Sequence, residues 1–395
     1  MKKVLTIAIG TLLLCSVAGA QQLQTGSMSG FVTDESGAAL TGEIVQATAD
    51  VLPTGRSSVT DSSGGYRFPA LPPGDYEVTF TMPGFATEKK QFPVSLMQNA
   101  QVNVTMREAT FEGEIVVTSE IPTIDTTSAE LKASVPDEVI QSLPLGQQYR
   151  DLTKLIPGVQ YTEDTVRGPS AGGNGQDNVY EFDGVGVNLP LFGTLATQPA
   201  SQDVEEMTVV KGGANAVGFN RSGGFLIITL STSGTNQFKG ELSYQVQSAS
   251  MTGSVTEESQ QEYDQDYDWL TANIGGPIVK DNLWFFASYY RPTSTRTSRA
   301  NVYGDVPDYE NIRDEWFAKL NWSPTNSLRF TGSYRDSQID ESGAGVGEFS
   351  AGTTSSGSDS ELKIAVVEGS WVVSDNGLFN FKASDFKQLG SGTPD

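Results

Sequence analysis

FKGELSYQV, Phe238 to Val246, alternates at every position. Phe238, Gly240, Leu242, Tyr244 and Val246 fall on one side; Lys239, Glu241, Ser243 and Gln245 fall on the other. A period of two predicts a β-strand with one apolar and one polar face. The same repeat sets Trp316, Ala318, Leu320 and Trp322 against Phe317, Lys319 and Asn321. It sets Leu328, Phe330, Gly332 and Tyr334 against Arg329, Thr331, Ser333 and Arg335, and Phe379, Phe381 and Ala383 against Asn380, Lys382 and Ser384. DWLTANIGG (268–276), LWFFASYYR (283–291) and LKIAVVEGSWVV (362–373) bring the strands to seven. The connections between them run long, short, long, short, long, short: 248–267, 277–282, 292–314, 323–327, 337–361 and 374–377. Short turns at one end and long loops at the other are the pattern of a transmembrane β-barrel. In such a barrel the apolar face meets lipid and the polar face looks into the lumen. Trp269, Trp284, Tyr290, Trp316 and Trp322, at strand ends, are expected to form the two aromatic girdles. The acidic run from Glu257 to Asp268 reads as a solvated loop. Its Asp264-x-Asp266-x-Asp268 begins like a calcium loop, but Trp269 and Gly275 stand where that loop needs glycine and glutamate.

The first twenty residues belong to no fold. MKKVLTIAIGTLLLCSVAGA opens on Lys2 and Lys3, runs apolar from Val4 to Leu14 and ends on Ala18-Gly19-Ala20. This is the layout of a secretory signal (1–20) cleaved after Ala20. Its apolar run is too short to anchor in a bilayer. Leu14 also stands where a lipid-anchor signal needs a small residue before Cys15. Cys15, the chain's one cysteine, leaves with the signal, so the mature chain has neither disulfides nor thiol chemistry. There is no histidine, which removes Ser-His-Asp triads and histidine metal ligands together. No catalytic residue, metal site or cofactor is expected. The 25 basic and 48 acidic residues give −23, and loss of Lys2 and Lys3 leaves 23 against 48, or −25. A chain of that sign repels phosphate, so nucleic acid is not an expected partner.

Residues 26–106 hold short runs rich in β-branched and aromatic residues: SMSGFVTD, GEIVQATA, SSVTD, GYRF, DYEVTFTM and AQVNVTM. Glycine, proline and serine turns separate them, as in a β-sandwich of about seven strands. Gly30, Val32, Asp34, Gly37, Thr60, Asp61, Gly65, Tyr66, Phe68, Leu71, Pro72, Gly74 and Tyr76 form a pattern. That pattern resembles the carboxypeptidase regulatory-like domain. The resemblance implies a transthyretin-like sandwich acting as a structural, docking or glycan-binding module. It does not imply the peptidase, whose zinc site needs histidines that this chain lacks.

After Pro122 the pattern changes. Ser134 is placed to cap a short helix through Ile140, and Leu152, Leu155 and Ile156 predict a second, ended by Pro157-Gly158. Residues 180–185, 204–213 and 223–230 read as strands, the last nearly all apolar and therefore buried. The order LPLGQQYRDLTKLIPGV, YEFDGVGVN, VEEMTVVKGGANAVGFNRSGGFLIITLSTSGTNQFKG resembles the plug domain of TonB-dependent outer-membrane receptors. Asp183, Gly184, Glu205, Lys211, Gly212, Gly218, Ser222, Gly223 and Gly224 fall where that family's motifs fall. Lys211 and Phe219 replace its Arg-Gly and Tyr-Gly, and Leu230-Ser231-Thr232 replaces its Thr-Lys. The five glycines of Lys211–Gly224 are not a phosphate loop, since G-x-x-x-x-G-K-[ST] is absent.

The chain thus reads as mainly β: an N-terminal seven-stranded β-sandwich (26–106), a linker (107–122), an α+β plug (123–235), then antiparallel transmembrane barrel strands (238–395). Plugged barrels have about 22 strands, so the barrel is expected to be incomplete and the chain truncated. In the linker, Glu114, Ile115, Val116, Val117 and Thr118 resemble a TonB box. The resemblance implies an outer-membrane receptor, its sandwich and plug periplasmic, partnered by the TonB periplasmic domain and its inner-membrane motor, by outer-membrane lipid and by an unidentified extracellular ligand. An oligosaccharide is favoured. The rival reading is a periplasmic or cell-surface carbohydrate-binding or adhesion module without transport.

Overall fold

A computed structural model describes residues 24–109, 132–136, 139–140, 149–162, 168–170, 173–189, 193, 195, 197, 199–211, 224–251, 263–374 and 377–394. The TonB-box residues Glu114 to Thr118, the signal, and Gly212, Gly218, Ser222 and Gly223 lie outside them.

The sandwich has strands β1 (Gly26–Asp34), β2 (Ile44–Ala49), β3 (Leu52–Val59), β4 (Gly65–Leu71), β5 (Gly74–Thr81), β6 (Glu88–Val94), β7 (Asn99–Gln101) and β8 (Val104–Met106). One sheet runs β4-β1-β7 with β8 further along β1; the other runs β3-β2-β5-β6. Counted as one interrupted strand, β7 and β8 give the expected seven. β6 is the strand the sequence hides, because EKKQFPV carries a proline and little alternation. Three of the residues behind the regulatory-like resemblance, Asp34, Asp61 and Tyr76, have folding roles. Asp34 accepts the Ser36 and Ala38 N–H groups, each at 2.8 Å, and Asp61 repeats this with Ser63 at 2.8 Å and Gly65 at 2.9 Å. These bonds, with those from the Ser36 and Ser63 hydroxyls, hold both carboxyls below the usual range. The Tyr76 hydroxyl reaches back to the Pro72 carbonyl at 2.8 Å, which accounts for P-P-G-x-Y.

The sandwich buries three charged residues, Glu43, Arg56 and Glu88, and Glu43 is the most deeply buried of them. Glu43 is fully buried, and neither carboxylate oxygen has a hydrogen-bond partner among the described residues. Burial pushes its pKa up to about 7. The folded domain therefore holds a proton that the unfolded chain has released, so stability falls as pH rises from about 4.5 to 7 and then levels. Glu43→Gln is expected to flatten that slope and to stabilise the domain above pH 7 by roughly 3 kcal/mol. Urea melts at a series of pH values check it; an unchanged slope disproves the assignment.

The central domain is a sheet of β9 (Lys132–Pro136), β10 (Val179–Phe182), β11 (Val185–Gly186), β12 (Val204–Val210) and β13 (Leu226–Ser231), in the order β11-β10-β13-β12-β9. β13 is buried at every position, as its composition predicts. Ser134 is not a helix cap. It lies in β9, paired with Thr208 of β12, its hydroxyl 2.9 Å from that of Thr208. Edge pairing overrides the local capping signal. The second predicted helix is a 3-10 helix, Tyr149–Leu155, ended as expected at Gly158, whose φ is 79°.

The third unit is one antiparallel sheet. Its strands are β14 (Lys239–Gln247), β15 (Asp264–Val279), β16 (Leu283–Thr297), then, past a two-residue ribbon of β17 (Ala300–Asn301) and β18 (Gly304–Asp305), β19 (Tyr309–Thr325), β20 (Leu328–Ala344), β21 (Ser356–Ser374) and β22 (Gly377–Pro394). They pair in chain order, and among the described residues β14 and β22 do not pair with each other. The turns 280–282 and 326–327 stay short. The long loops shrink to 298–308 and 345–355, because the strands run on past the alternating stretches. Asp264, Asp266 and Asp268 correct the loop reading: they open β15, and Asp268 accepts the Tyr244 hydroxyl at 2.7 Å.

The sheet is inside-out by the standard of a water-soluble protein. On β19, Trp316 is 62% and Trp322 46% exposed, while Glu315 is 1% and Lys319 2%. On this strand the tryptophans face outward and the charged residues face the central domain. Two girdle residues are corrected: Trp284 and Tyr290 are buried on the inner face. Trp269, half-buried, is corrected too: it lies on the inner phase of β15, two residues from buried Thr271. Tyr244 and Tyr334 join Trp316 and Trp322 among the exposed aromatics.

Candidate functional site

The charged face of the sheet closes on the central domain through two carboxylates. Asp183 and Gly184 both have positive φ, 46° and 67°, the type I′ turn that an Asp-Gly pair favours between β10 and β11. The turn points Asp183 at the end of β13, where the Ser231 hydroxyl donates at 2.6 Å and the Ser231 N–H at 3.0 Å. Lys319 of β19 stands 3.8 Å from the same carboxylate and donates to the Ser231 carbonyl at 2.5 Å. Lys382 of β22 donates to the Asp183 carbonyl. Burial raises the Asp183 pKa, but Lys319 and the Ser231 bonds outweigh it and hold it below the ordinary value. The second carboxylate, Asp203, ends a short 3-10 turn just before β12. It accepts the Ser288 hydroxyl at 2.8 Å and lies 3.6 Å from Arg335. Burial carries it up to about 6, against the pull of Arg335 and Ser288. Arg335 also pairs with Glu315, which pairs with Arg313, and Arg313 donates to Thr197 at 2.8 Å. Apolar contact completes the seat, with Leu362, Ile364 and Val366 of β21 in one cluster with Phe182, Met207 and Ile227.

Of the residues singled out from the sequence, Asp183 and Gly184 sit in this interface. Lys211 caps the 3-10 segment instead, donating to the Pro157 carbonyl at 2.5 Å. Gly224 is a close approach, where any Cβ would overlap the Asp177 carbonyl. Glu205 occupies the register shift at the start of β12. Its neighbour Glu206, which carries no sequence signal, is the buried member of the pair. Burial raises it to about 7 against the Leu96 N–H, Ser134 and Thr208. Asp203, Glu315 and Ser231 were likewise not legible as a set. Lys319 and Arg335 were visible only as polar-phase residues of their strands.

Residues 27–107 match the model of the carboxypeptidase regulatory-like domain. The TonB-dependent transporter Oar of Myxococcus xanthus is 30% identical over 293 residues, 69% of this chain and 27% of that protein. Over that stretch the chain is a relative of the TonB-dependent outer-membrane transporters. The receptor fold is matched in the crystal structure of the outer membrane transporter YddB of Escherichia coli, with a TM-score of 0.51 and 15% identity, over 62% of this chain and 37% of that one. The chain thus spans about a quarter of the length of its curated relative and over a third of the solved structure. In receptor terms the central domain is the plug, the seven-stranded sheet is barrel wall, and the carboxylates above fasten one to the other.

Proposed function

We propose that the chain is the plug-bearing part of a receptor for energised uptake across the outer membrane, and that it is not an enzyme. The inverted burial of the wall, lipid-facing Trp316 and Trp322 opposite plug-facing Glu315 and Lys319, carries this reading. In it the sandwich and plug are periplasmic. What supports that side is the contact between the sandwich and a short wall turn: Arg56 donates to the Asn326 carbonyl at 3.2 Å. Short turns are the periplasmic ends of such barrels. Glu114 to Thr118 would add as a strand to the periplasmic domain of TonB, whose inner-membrane motor supplies the pull.

The ligand we propose is an oligosaccharide. The regulatory-like sandwich favours it by analogy, and the upper wall adds chemistry. Tyr267 and Trp269 share the inner phase of β15, with ring planes 10° apart and centroids 5.4 Å apart. Gln265 lies on the same phase and donates to Ser294 at 3.2 Å. Parallel rings flanked by amides and hydroxyls suit the apolar face and hydroxyl rim of a sugar ring. Membrane fractionation and titration of the purified receptor with neutral oligosaccharides test both levels. The outer-membrane fraction should hold the protein, and Trp269→Ala should weaken glycan binding about tenfold, the scale of one aromatic contact. A soluble periplasmic product overturns the receptor reading; unchanged titration of Trp269→Ala overturns the sugar wall alone.

A further inference from the structure

The plug sheet is covered on both faces by different parts of the chain. One face packs against β21 of the wall. The other carries Val210, Leu226, Ile228 and Leu230, and Leu96 of the sandwich closes it. Leu96 contributes nothing to the sandwich's own core. It stands on the turn between β6 and β7, where Met97 has a φ of 58° and its N–H bonds the Thr25 carbonyl at 3.1 Å. That turn presents Leu96, 1% exposed, to the plug, with Met97 packed beside it. Polar contacts ring it. The Leu96 N–H reaches the Glu206 carboxylate at 3.1 Å, and Lys132 of edge strand β9 donates to the Met97 carbonyl at 2.8 Å. A second foothold lies on the wall, where Arg56 meets Asn326 and Arg329 donates to the Val51 carbonyl at 3.3 Å.

We propose that the leading sandwich is the removable floor of the plug: docked, it seals the second face of the plug sheet, and it must lift before that sheet can rearrange. The asymmetry of the two cores points to this. The sandwich keeps a complete apolar interior when it leaves, whereas the plug sheet loses one of its two covers. The linker joins β8 to β9, so a pull applied within it loads the floor and the sheet's edge strand together. This lifting step rests on the uptake reading; the sealing does not.

The test uses the full receptor with every cysteine outside residues 1–395 replaced by serine; within those residues Cys15 of the leader is the only one. With Ile228→Cys as reporter, a small maleimide should label the resting receptor slowly. Adding Leu96→Asp should speed labelling at least tenfold, while adding Leu96→Met should leave it slow. Equal labelling in the Leu96→Asp and Leu96→Met backgrounds overturns the floor. For lifting, Met97→Cys and Lys132→Cys are bridged with a short bis-maleimide. Uptake should fall at least tenfold when bridged and persist in either single variant treated alike. Full uptake with the bridge in place overturns lifting. Absence of uptake in the untreated receptor strikes the uptake reading instead, and the labelling result still decides the floor.

Discussion

Glu315→Gln is expected to loosen the seat of the plug by unsettling the buried charges of the wall that meet it. Its carboxylate is 1% exposed and pairs with Arg313 and Arg335. Removing its charge leaves two buried guanidinium groups on neighbouring strands without the anion between them. Breaking a buried pair by deleting one partner costs about 3–5 kcal/mol, mainly through the charge left behind. Arg335 keeps Asp203 at 3.6 Å and the Phe317 ring at 4.4 Å, which places the effect at the lower end of that range. The readout is the denaturant midpoint of plug release in the detergent-solubilised receptor. Removing the set together, Glu315→Gln with Arg313→Gln, Arg335→Gln and Asp203→Asn, should recover much of the loss, since no uncompensated charge then remains in the network. If Glu315→Gln alone releases at the wild-type midpoint, the carboxylate is not what fastens the plug.

Val116→Pro is expected to abolish uptake without touching the fold. In an added strand Ile115 and Val117 point one way and Val116 the other, and backbone pairing supplies most of the affinity. Proline removes the N–H at 116 and fixes φ, so the ladder breaks at its middle. Crosslinking to TonB should disappear and uptake should drop to the level of cells without TonB, while the amount of receptor in the outer membrane stays constant. Crosslinking that survives the proline means that this stretch is not the strand TonB takes.

The wall was legible where one face meets lipid and the other a packed plug, because only there does alternation have a physical cause. Leu320 beside Lys319 announces itself. Past the apolar band both faces of a strand meet water, alternation stops, and β20 and β21 were read short by several residues at those ends. Aromatics at strand ends were ambiguous for a related reason. A tryptophan suits a girdle or a plug contact equally, and in LWFFASYYR neighbouring rings occupy both phases. The Asp183–Gly184 turn was legible as a motif, yet its partner Lys319 lies over a hundred residues away and no local pattern links them. Nothing in the sequence singled out Leu96, since SLMQ shows neither period nor turn chemistry that would mark it as a contact.

Phe225-Leu-Ile-Ile-Thr-Leu230 has a consequence for biogenesis. A six-residue run of strand-forming apolar residues with no charge and no proline is the kind of segment that seeds cross-β association when left uncovered. Its native covers come from Leu96 upstream and from β21 more than a hundred residues downstream. The upstream cover can fold as soon as the sandwich is made; the downstream one exists only after several wall hairpins have formed. The receptor therefore passes through a stage in which half of its most aggregation-prone strand is shielded by the sandwich alone, and a receptor stripped of that domain would depend on chaperones for both halves.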